Sequence, residues 1–344
     1  MRLPHHLLES LLFLFTKDRE LIIALGSRVT PLEKREIRRL SKKGLPPVTS
    51  VHTLSTMIGI NPGIVWSFVN RARKHYRIFT IPKGKKERIV VAPRVGLKII
   101  QKWLAHHISI AACPLPHVFG FVRGKTHIDA AFQHRHAEWA FSVDITNFFP
   151  STPADSVVQA FKKLGYNNDA LQLLAALTCL NGFLPQGAPT SPVLSNLCFN
   201  EIDLKLAKLA LRFDCELTRY ADDITYSGLG AFPPLLREEL YQAFSTGPWR
   251  LAMEKEKLQP SNGRIKIHGI LVGQGKIRLT KGYRNKLRAY QHILATHGPV
   301  VRDSAVLKGH VAFSSQFERR VSSLLADLDN NNPAPIDAAD DSIL

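Results

Sequence analysis

Three aspartates stand where metal-assisted phosphoryl transfer would need them. Asp144 closes the apolar run AFSVD, and Asp222 and Asp223 sit side by side between the segments CELTRY and ITYSG. Nucleotidyl transfer uses two divalent ions about 3.5–4 Å apart that clamp the attacking and leaving oxygens. Mg²⁺ takes carboxylate oxygens and keeps part of its water, so its site calls for a few aspartates converging from rigid elements. An Asp-Asp pair by itself is commonly a turn. Here it coincides with an apolar strand ending in aspartate and with a Pro185-Gln186-Gly187 loop between the two, and that combination is specific.

The flanking residues predict how the aspartates are held. AFSVD reads as a short strand, and the segments on either side of the Asp-Asp pair read as a hairpin. Its tight turn presents Asp222 inward and leaves Asp223 beside it. Residues 1–75 look helical, with apolar residues at three-to-four spacing in LLESLLFLF, PLEKREIRRLSKK, SVHTLSTMIGI and NPGIVWSFVNRARKHY. The segment RIFTIPKGKKERIVVAP predicts two strands joined by a basic turn, followed by a helix over 95–110. ADSVVQAFKKLG and SPVLSNLCFNEIDLKLAKLAL predict helices, RIKIHGILVGQGKIRLT a further hairpin, and TKGYRNKLRAYQHIL a basic helix. Residues 326–344 are acidic, hold NNNPAP and lack Lys and Arg, which predicts a disordered tail.

A formal net charge of +18 points to a polyanionic partner whose phosphates offset the repulsion. No run of 18 apolar residues exists to span a membrane, and the apolar N-terminus reads as an amphipathic helix rather than a signal peptide. A cytoplasmic location follows as the expectation. The scattered Cys113, Cys179, Cys198 and Cys215 form no C-x-x-C pair, which favours buried free thiols over disulfides or zinc.

In this order the motifs resemble those of bacterial reverse transcriptases, the retron type in particular. IPKGKKERIVVAP is similar to the fingers motif, FSVDITNFFPS to the first catalytic motif and GFLPQGAPTSPVLSN to the template-gripping motif. RYADDITYSG matches the central Y-A-D-D motif, and WRLAMEKEKLQ is a weaker match to the lysine-bearing motif that follows. The resemblance implies an α+β right-hand polymerase of fingers, palm and thumb, with an antiparallel palm sheet and a helical N-terminal region. It divides the chain into a helical region over 1–75, fingers over 76–135, palm with interleaved finger elements over 136–262, thumb over 263–325 and the tail.

The same resemblance implies roles. Asp144, Asp222, Asp223 and the carbonyl of Ile145 would hold two Mg²⁺ ions, with Mn²⁺ a possible substitute. Lys83 and Arg88 would meet the triphosphate of an incoming dNTP, for which a point charge and a planar fork are both suited. Phe149, five residues beyond Asp144, would act as a steric gate against a ribose 2′-hydroxyl, unless it and Phe148 are both core residues. Gln186 and Gly187 would position nucleotide and template, and Lys257 would lie near the growing end's phosphates. Lys276, Arg278, Lys281, Arg284 and Arg288 would grip an RNA–DNA hybrid through its backbone.

Two retron elements are altered. The N-A-x-x-H element reads Ala130-Ala131-Phe132-Gln133-His134, and the V-T-G element reads Ile267-His268-Gly269. The first expectation is a retron enzyme that copies a structured non-coding RNA into branched msDNA, primed from a guanosine 2′-hydroxyl. It would act in antiphage defence with a separate effector protein. The alternatives are another bacterial defence or group II intron-like reverse transcriptase, or an RNA-binding scaffold without polymerase activity. Three repelling carboxylates argue against the scaffold.

Overall fold

The computed structural model describes residues 5–84, 86–260, 263–297 and 304–331. The chain opens with α1 (His5–Glu9), α2 (Asp18–Leu25), α3 (Pro31–Lys42), α4 (Val51–Ile58) and α5 (Pro62–Asn70). Capping sets several of these boundaries: Thr30, Ser50 and Asn61 each accept a backbone N–H of the first turn that follows, and Gly59 ends α4 in the left-handed region. The first predicted helix is shorter than its apolar pattern suggests. Phe13 adopts φ 57°, and the turn buries Leu12 and Phe13, the latter edge-on against Trp103. Burial outweighs helix continuation there. In α3, Ile37 and Leu40 are buried while Arg35, Arg38 and Lys42 face solvent, so its basic side is the outer one.

The hairpin β1 (Tyr76–Lys83) and β2 (Lys86–Pro93) follows as predicted, then α6 (Val95–Ala111) and α7 (His127–Gln133). Next come β3 (Trp139–Ile145), α8 (Ala154–Leu164), α9 (Asn168–Thr178) and α10 (Ser191–Arg212). The chain continues through β4 (Glu216–Tyr220), β5 (Asp223–Gly228), α11 (Pro234–Ala243) and β6 (Leu251–Pro260). Strands β3 to β6 form one antiparallel sheet in the order β4-β5-β3-β6, the predicted palm sheet.

Strand parity sorts the two faces of this sheet. Phe141, Val143, Ile145, Leu217, Ile224 and Tyr226 pack in one core with Phe199, Ile202 and Leu206 of α10 and Leu236 and Leu240 of α11. The alternate residues, Ser142, Asp144, Thr218, Asp223, Thr225 and Ser227, therefore share the opposite face. A second core joins α2 to α6 with α8, α9 and the start of α10.

The C-terminal part departs from expectation in three respects. The predicted hairpin is a three-stranded meander of β7 (Lys266–Ile267), β8 (Ile270–Gly273) and β9 (Lys276–Leu279). Two-residue turns at His268-Gly269 and Gln274-Gly275, all four at positive φ, supply the extra reversal. Helix α7, expected with the fingers, packs instead beneath this meander with α12 (Lys281–His297) and α13 (Ser304–Asn331). The Arg320 Nε–Asp129 Oδ1 pair at 2.6 Å ties α13 to α7. The tail boundary also moves: α13 continues through Asn331, and residues 332–344 lie outside those described. Of the cysteines only Cys179 is fully buried; Cys113 is exposed, so a buried thiol is the wrong description for that residue.

Candidate active site

Asp144 and Asp223 lie directly opposite each other on β3 and β5. Residues so paired project from the same face with Cβ atoms about 4.5–5.5 Å apart. Asp222 follows Ala221 in the two-residue turn between β4 and β5, and its carbonyl accepts the Ile145 N–H at 2.8 Å. The hairpin and β3 are thus locked in register at the site. Sequence reasoning brought these three aspartates together, and the fold does so.

The turn is held from beneath. Ala221 has φ 61°, a conformation that costs roughly 1–2 kcal/mol for a residue with a Cβ. Arg219, fully buried, donates from Nη1 to the Ala221 carbonyl at 3.0 Å and to Asn196 Oδ1 at 3.1 Å. Its Nε and Nη2 form a fork with Asp203 of α10 at 2.7 and 2.6 Å. Burial alone would raise the Asp203 carboxyl, but the Arg219 guanidinium and His117 together outweigh it and hold the pKa below its ordinary value. The segment 117–120 lies along β4: Phe119 N–H and Gly120 N–H both donate to the Arg219 carbonyl, and Asn196 Nδ2 donates to the Gly120 carbonyl. A Cβ on Gly120 would lie 2.1 Å from the Ala221 nitrogen, so only glycine permits this approach.

Two basic side chains meet the carboxylates. Lys255 Nζ lies 3.2 Å from Asp144 Oδ1, and His268 Nδ1 lies 3.4 Å from Asp223 Oδ2. Lys257, the lysine singled out from sequence, pairs across from Ser142, one alternation farther from Asp144. Continued unbroken, that register would set Lys255 across from Asp144; a shift between Ser142 and Asp144 puts Ala252 there, and the Lys255 ammonium still reaches the aspartate through its side chain. Asp222 is raised above the ordinary carboxylate range, first by burial and then by the charges of Asp144 and Asp223, with Lys255 opposing. Among the described residues, no three His, Cys, Asp or Glu side chains are gathered as an ion cage. The donor chemistry nonetheless suits hard divalent ions: carboxylates from two strands and a turn, with Asp144 and Asp223 each about one-third exposed.

The altered retron elements have structural roles. His134 is buried, with Nδ1 2.6 Å from Ser227 Oγ and Nε2 2.7 Å from Thr218 Oγ1, so it clips β4 to β5 behind the Asp-Asp hairpin. Burial pushes its pKa down to about 3 and keeps it neutral. His268, in the altered V-T-G, occupies the β7–β8 turn and faces Asp223 and the Tyr220 ring.

The residues expected to meet nucleotide or nucleic acid fall in two groups. Gln186 accepts the Val91 N–H through its carbonyl at 2.7 Å, and its amide can bridge the Ile89 carbonyl and Arg88 Nε, each at 3.2 Å. Gly187 has φ 128°, and a Cβ there would lie 2.8 Å from Val90. Arg88, Gln186 and Gly187 are therefore one unit joining the β1–β2 hairpin to the Pro-Gln-Gly loop. The Lys83 side chain lies outside those described. In the second group, Phe148 is a core residue at 4% exposure, whereas Phe149 is half-buried and packs against the edges of two cores. Lys276 and Arg278 share the exposed face of β9, and Lys281, Arg284 and Arg288 are all exposed on α12, whose Leu287 is buried.

Sequence reasoning missed Lys255, Arg219, Asp203 and the Gly120 approach. One signal was available: an arginine at an inward-facing position of the strand ELTRY calls for a buried acid partner.

Residues 81–259, just over half of the chain, match the family described as reverse transcriptase (RNA-dependent DNA polymerase). The chain is 28% identical over 258 residues to the Retron Ec86 reverse transcriptase of Escherichia coli, covering 74% of this chain and 81% of that protein. It is 28% identical over 313 residues to the Retron Mx65 reverse transcriptase of Myxococcus xanthus, covering 84% and 73% respectively. The Retron Se72 reverse transcriptase of Salmonella heidelberg matches at 29% over 270 residues, covering 74% and 70%. With that match spanning β3, the Pro-Gln-Gly loop and the Asp-Asp hairpin, the chain belongs to the reverse transcriptase family and is an RNA-directed DNA polymerase of retron type.

Proposed function

We propose that the chain copies a structured non-coding RNA into a 2′,5′-branched msDNA, as a retron enzyme in antiphage defence, with a separate effector protein. The observation that carries the chemistry is the pairing of Asp144 with Asp223 across β3 and β5, with Asp222 in the adjoining turn. When bound, two Mg²⁺ ions, or Mn²⁺ in their place, would supply charge neutralisation at the attacking and leaving oxygens. Asp144, Asp222, Asp223 and the Ile145 carbonyl would hold them. The residues around this site divide the remaining work. Arg88, with Lys83, binds the dNTP triphosphate, Gln186 orients Arg88, and Gly187 lets the fingers hairpin approach the loop. Lys255 rather than Lys257 offsets charge on the departing pyrophosphate, because its ammonium is the one beside Asp144. Phe149 excludes the ribose 2′-hydroxyl. Lys276, Arg278, Lys281, Arg284 and Arg288 track the backbone of the RNA–DNA hybrid.

Similarity to three retron enzymes over two-thirds or more of each supports the RNA-copying role. Among the described residues, no helix is long and apolar enough to cross a membrane. The deciding experiment isolates the protein from its own host with its bound nucleic acid. Short DNA joined to RNA through a 2′,5′ branch supports the proposal, and linear DNA or none refutes the retron assignment while leaving polymerase activity intact.

A further inference from the structure

Phe121 combines features that do not occur together by default. Its backbone has φ 62°, a region that bulky residues seldom adopt and glycine enters freely, and its side chain is 41% exposed. Neither backbone preference nor burial accounts for an aromatic residue there. What the ring does touch is Phe149: the two centroids lie 5.7 Å apart with the planes inclined at 37°.

A second ring beside Phe149 belongs to the core. Phe148 lies 5.7 Å from Phe149, is 4% exposed, and is itself held edge-on by Phe199 of α10. Phe149 therefore contacts one buried ring, Phe148, and one exposed ring, Phe121. The loop bearing Phe121 is not free to drift. Phe119 and Gly120 donate to the Arg219 carbonyl, Asn196 grips the Gly120 carbonyl, and Gly120 abuts Ala221 in the Asp-Asp turn. One set of contacts thus fixes the Phe121 ring relative to both the carboxylates and Phe149.

We propose that Phe121 is a positioning residue for sugar selection, bracing Phe149 in the orientation that excludes a 2′-hydroxyl. This rests on Phe149 being the gate. A ring free to swing away rejects a hydroxyl weakly, whereas one packed against two others must break contacts to move. The strained backbone fits this purpose, because it aims at Phe149 a ring that an extended conformation would direct elsewhere.

The test is single-nucleotide incorporation, comparing kcat/KM for a dNTP and its matching rNTP. The variants are Phe149→Ala, Phe121→Ala, Phe121→Gly, Phe121→Tyr and the double alanine variant. Phe121→Ala and Phe121→Gly should lower the dNTP/rNTP ratio roughly three- to tenfold, the range an aromatic pair contributes. Phe121→Tyr keeps the ring and should keep the ratio. Phe121→Gly should also hold its Tm, since glycine accepts the backbone conformation. On the Phe149→Ala background, Phe121→Ala should add nothing. If Phe149→Ala relaxes discrimination but neither Phe121→Ala nor Phe121→Gly does, the brace is wrong and the gate stands. If the Phe121→Ala effect persists in full without Phe149, action through Phe149 is refuted. If Phe149→Ala leaves the ratio unchanged, the gate fails and the brace fails with it.

Discussion

Replacing Gly120 with alanine should damage catalysis out of proportion to stability. The new Cβ would sit 2.1 Å from the Ala221 nitrogen and 2.8 Å from the Tyr220 carbonyl carbon, both backbone atoms with no rotamer to yield. Reaching an ordinary contact of 3.4 Å requires the two segments to part by about 1.3 Å. Neither gives way easily: the loop is bonded twice to the Arg219 carbonyl and once to Asn196, and the turn is bonded to Arg219 and Ile145. Overpacking of this kind costs about 1–3 kcal/mol. Tm then falls by roughly 2–4 °C per kcal/mol, a modest loss. The turn carries Asp222, however, and a 1 Å misplacement at a reacting centre costs about 10²-fold in rate. Primer extension on an RNA template, run well below Tm, should therefore show kcat reduced by roughly two orders of magnitude. Gly230→Ala is the control: its φ of 68° makes alanine strained there too, but nothing lies within 4 Å, so stability should fall without loss of rate. Wild-type kcat in Gly120→Ala would show that the loop does not position the turn.

Other outcomes follow from the same geometry. His134 is neutral in the fold, with a pKa of about 3, and an unfolded histidine takes up a proton below about 6.5. Its contribution is therefore complete above pH 6.5 and declines as pH falls toward 3. By pH 5 the loss should reach about 2 kcal/mol, at about 1.4 kcal/mol per pH unit. Chemical denaturation of His134→Gln should show a stability–pH slope shallower by one proton between pH 6 and 4, and an unchanged slope would contradict the burial argument. Lys255→Ala should lower kcat by roughly 10²-fold, as loss of a positioned cation does elsewhere, while Lys257→Ala has the smaller effect. The reverse order in steady-state kinetics would restore Lys257. Arg284→Ala with Arg288→Ala should reduce the salt dependence of hybrid binding by a log–log slope of about 2, without sequence preference. A titration at several salt concentrations that shows no change would remove α12 from the hybrid interface.

The palm sheet was legible in the sequence because strand parity is a local property. In AFSVDI the apolar residues alternate with Ser142 and Asp144, and in DITYSG the same alternation sends Asp223 to one face and Ile224 and Tyr226 to the other. A tight turn between CELTRY and ITYSG needs only the residues themselves. What stayed hidden depends on partners distant in the chain. The pairing of β6 with β3 sets Lys257 across from Ser142 and leaves Lys255 as the lysine that reaches Asp144, and nothing in MEKEK marks it. Helix α7 was assigned to the fingers by its position in the chain, but buried Ile128 and Phe132 find their partners beneath the β7–β9 meander. Gly120 and Phe121 carry no local signal, because Gly120 matters through a turn about 100 residues later and Phe121 through the ring of Phe149. Asn is absent from the N-A-x-x-H element, yet His134 still serves the hairpin through Ser227 and Thr218, which the motif alone does not reveal.

The central claim is that Asp144, Asp222 and Asp223 work as one divalent-ion site for DNA synthesis on RNA. Its most direct test is Asp222→Asn, with Mg²⁺-dependent primer extension on an RNA template measured beside RNA affinity in the same preparation. Loss of synthesis to background with RNA affinity retained is the result this account predicts. Synthesis near the wild-type rate in that variant would contradict it.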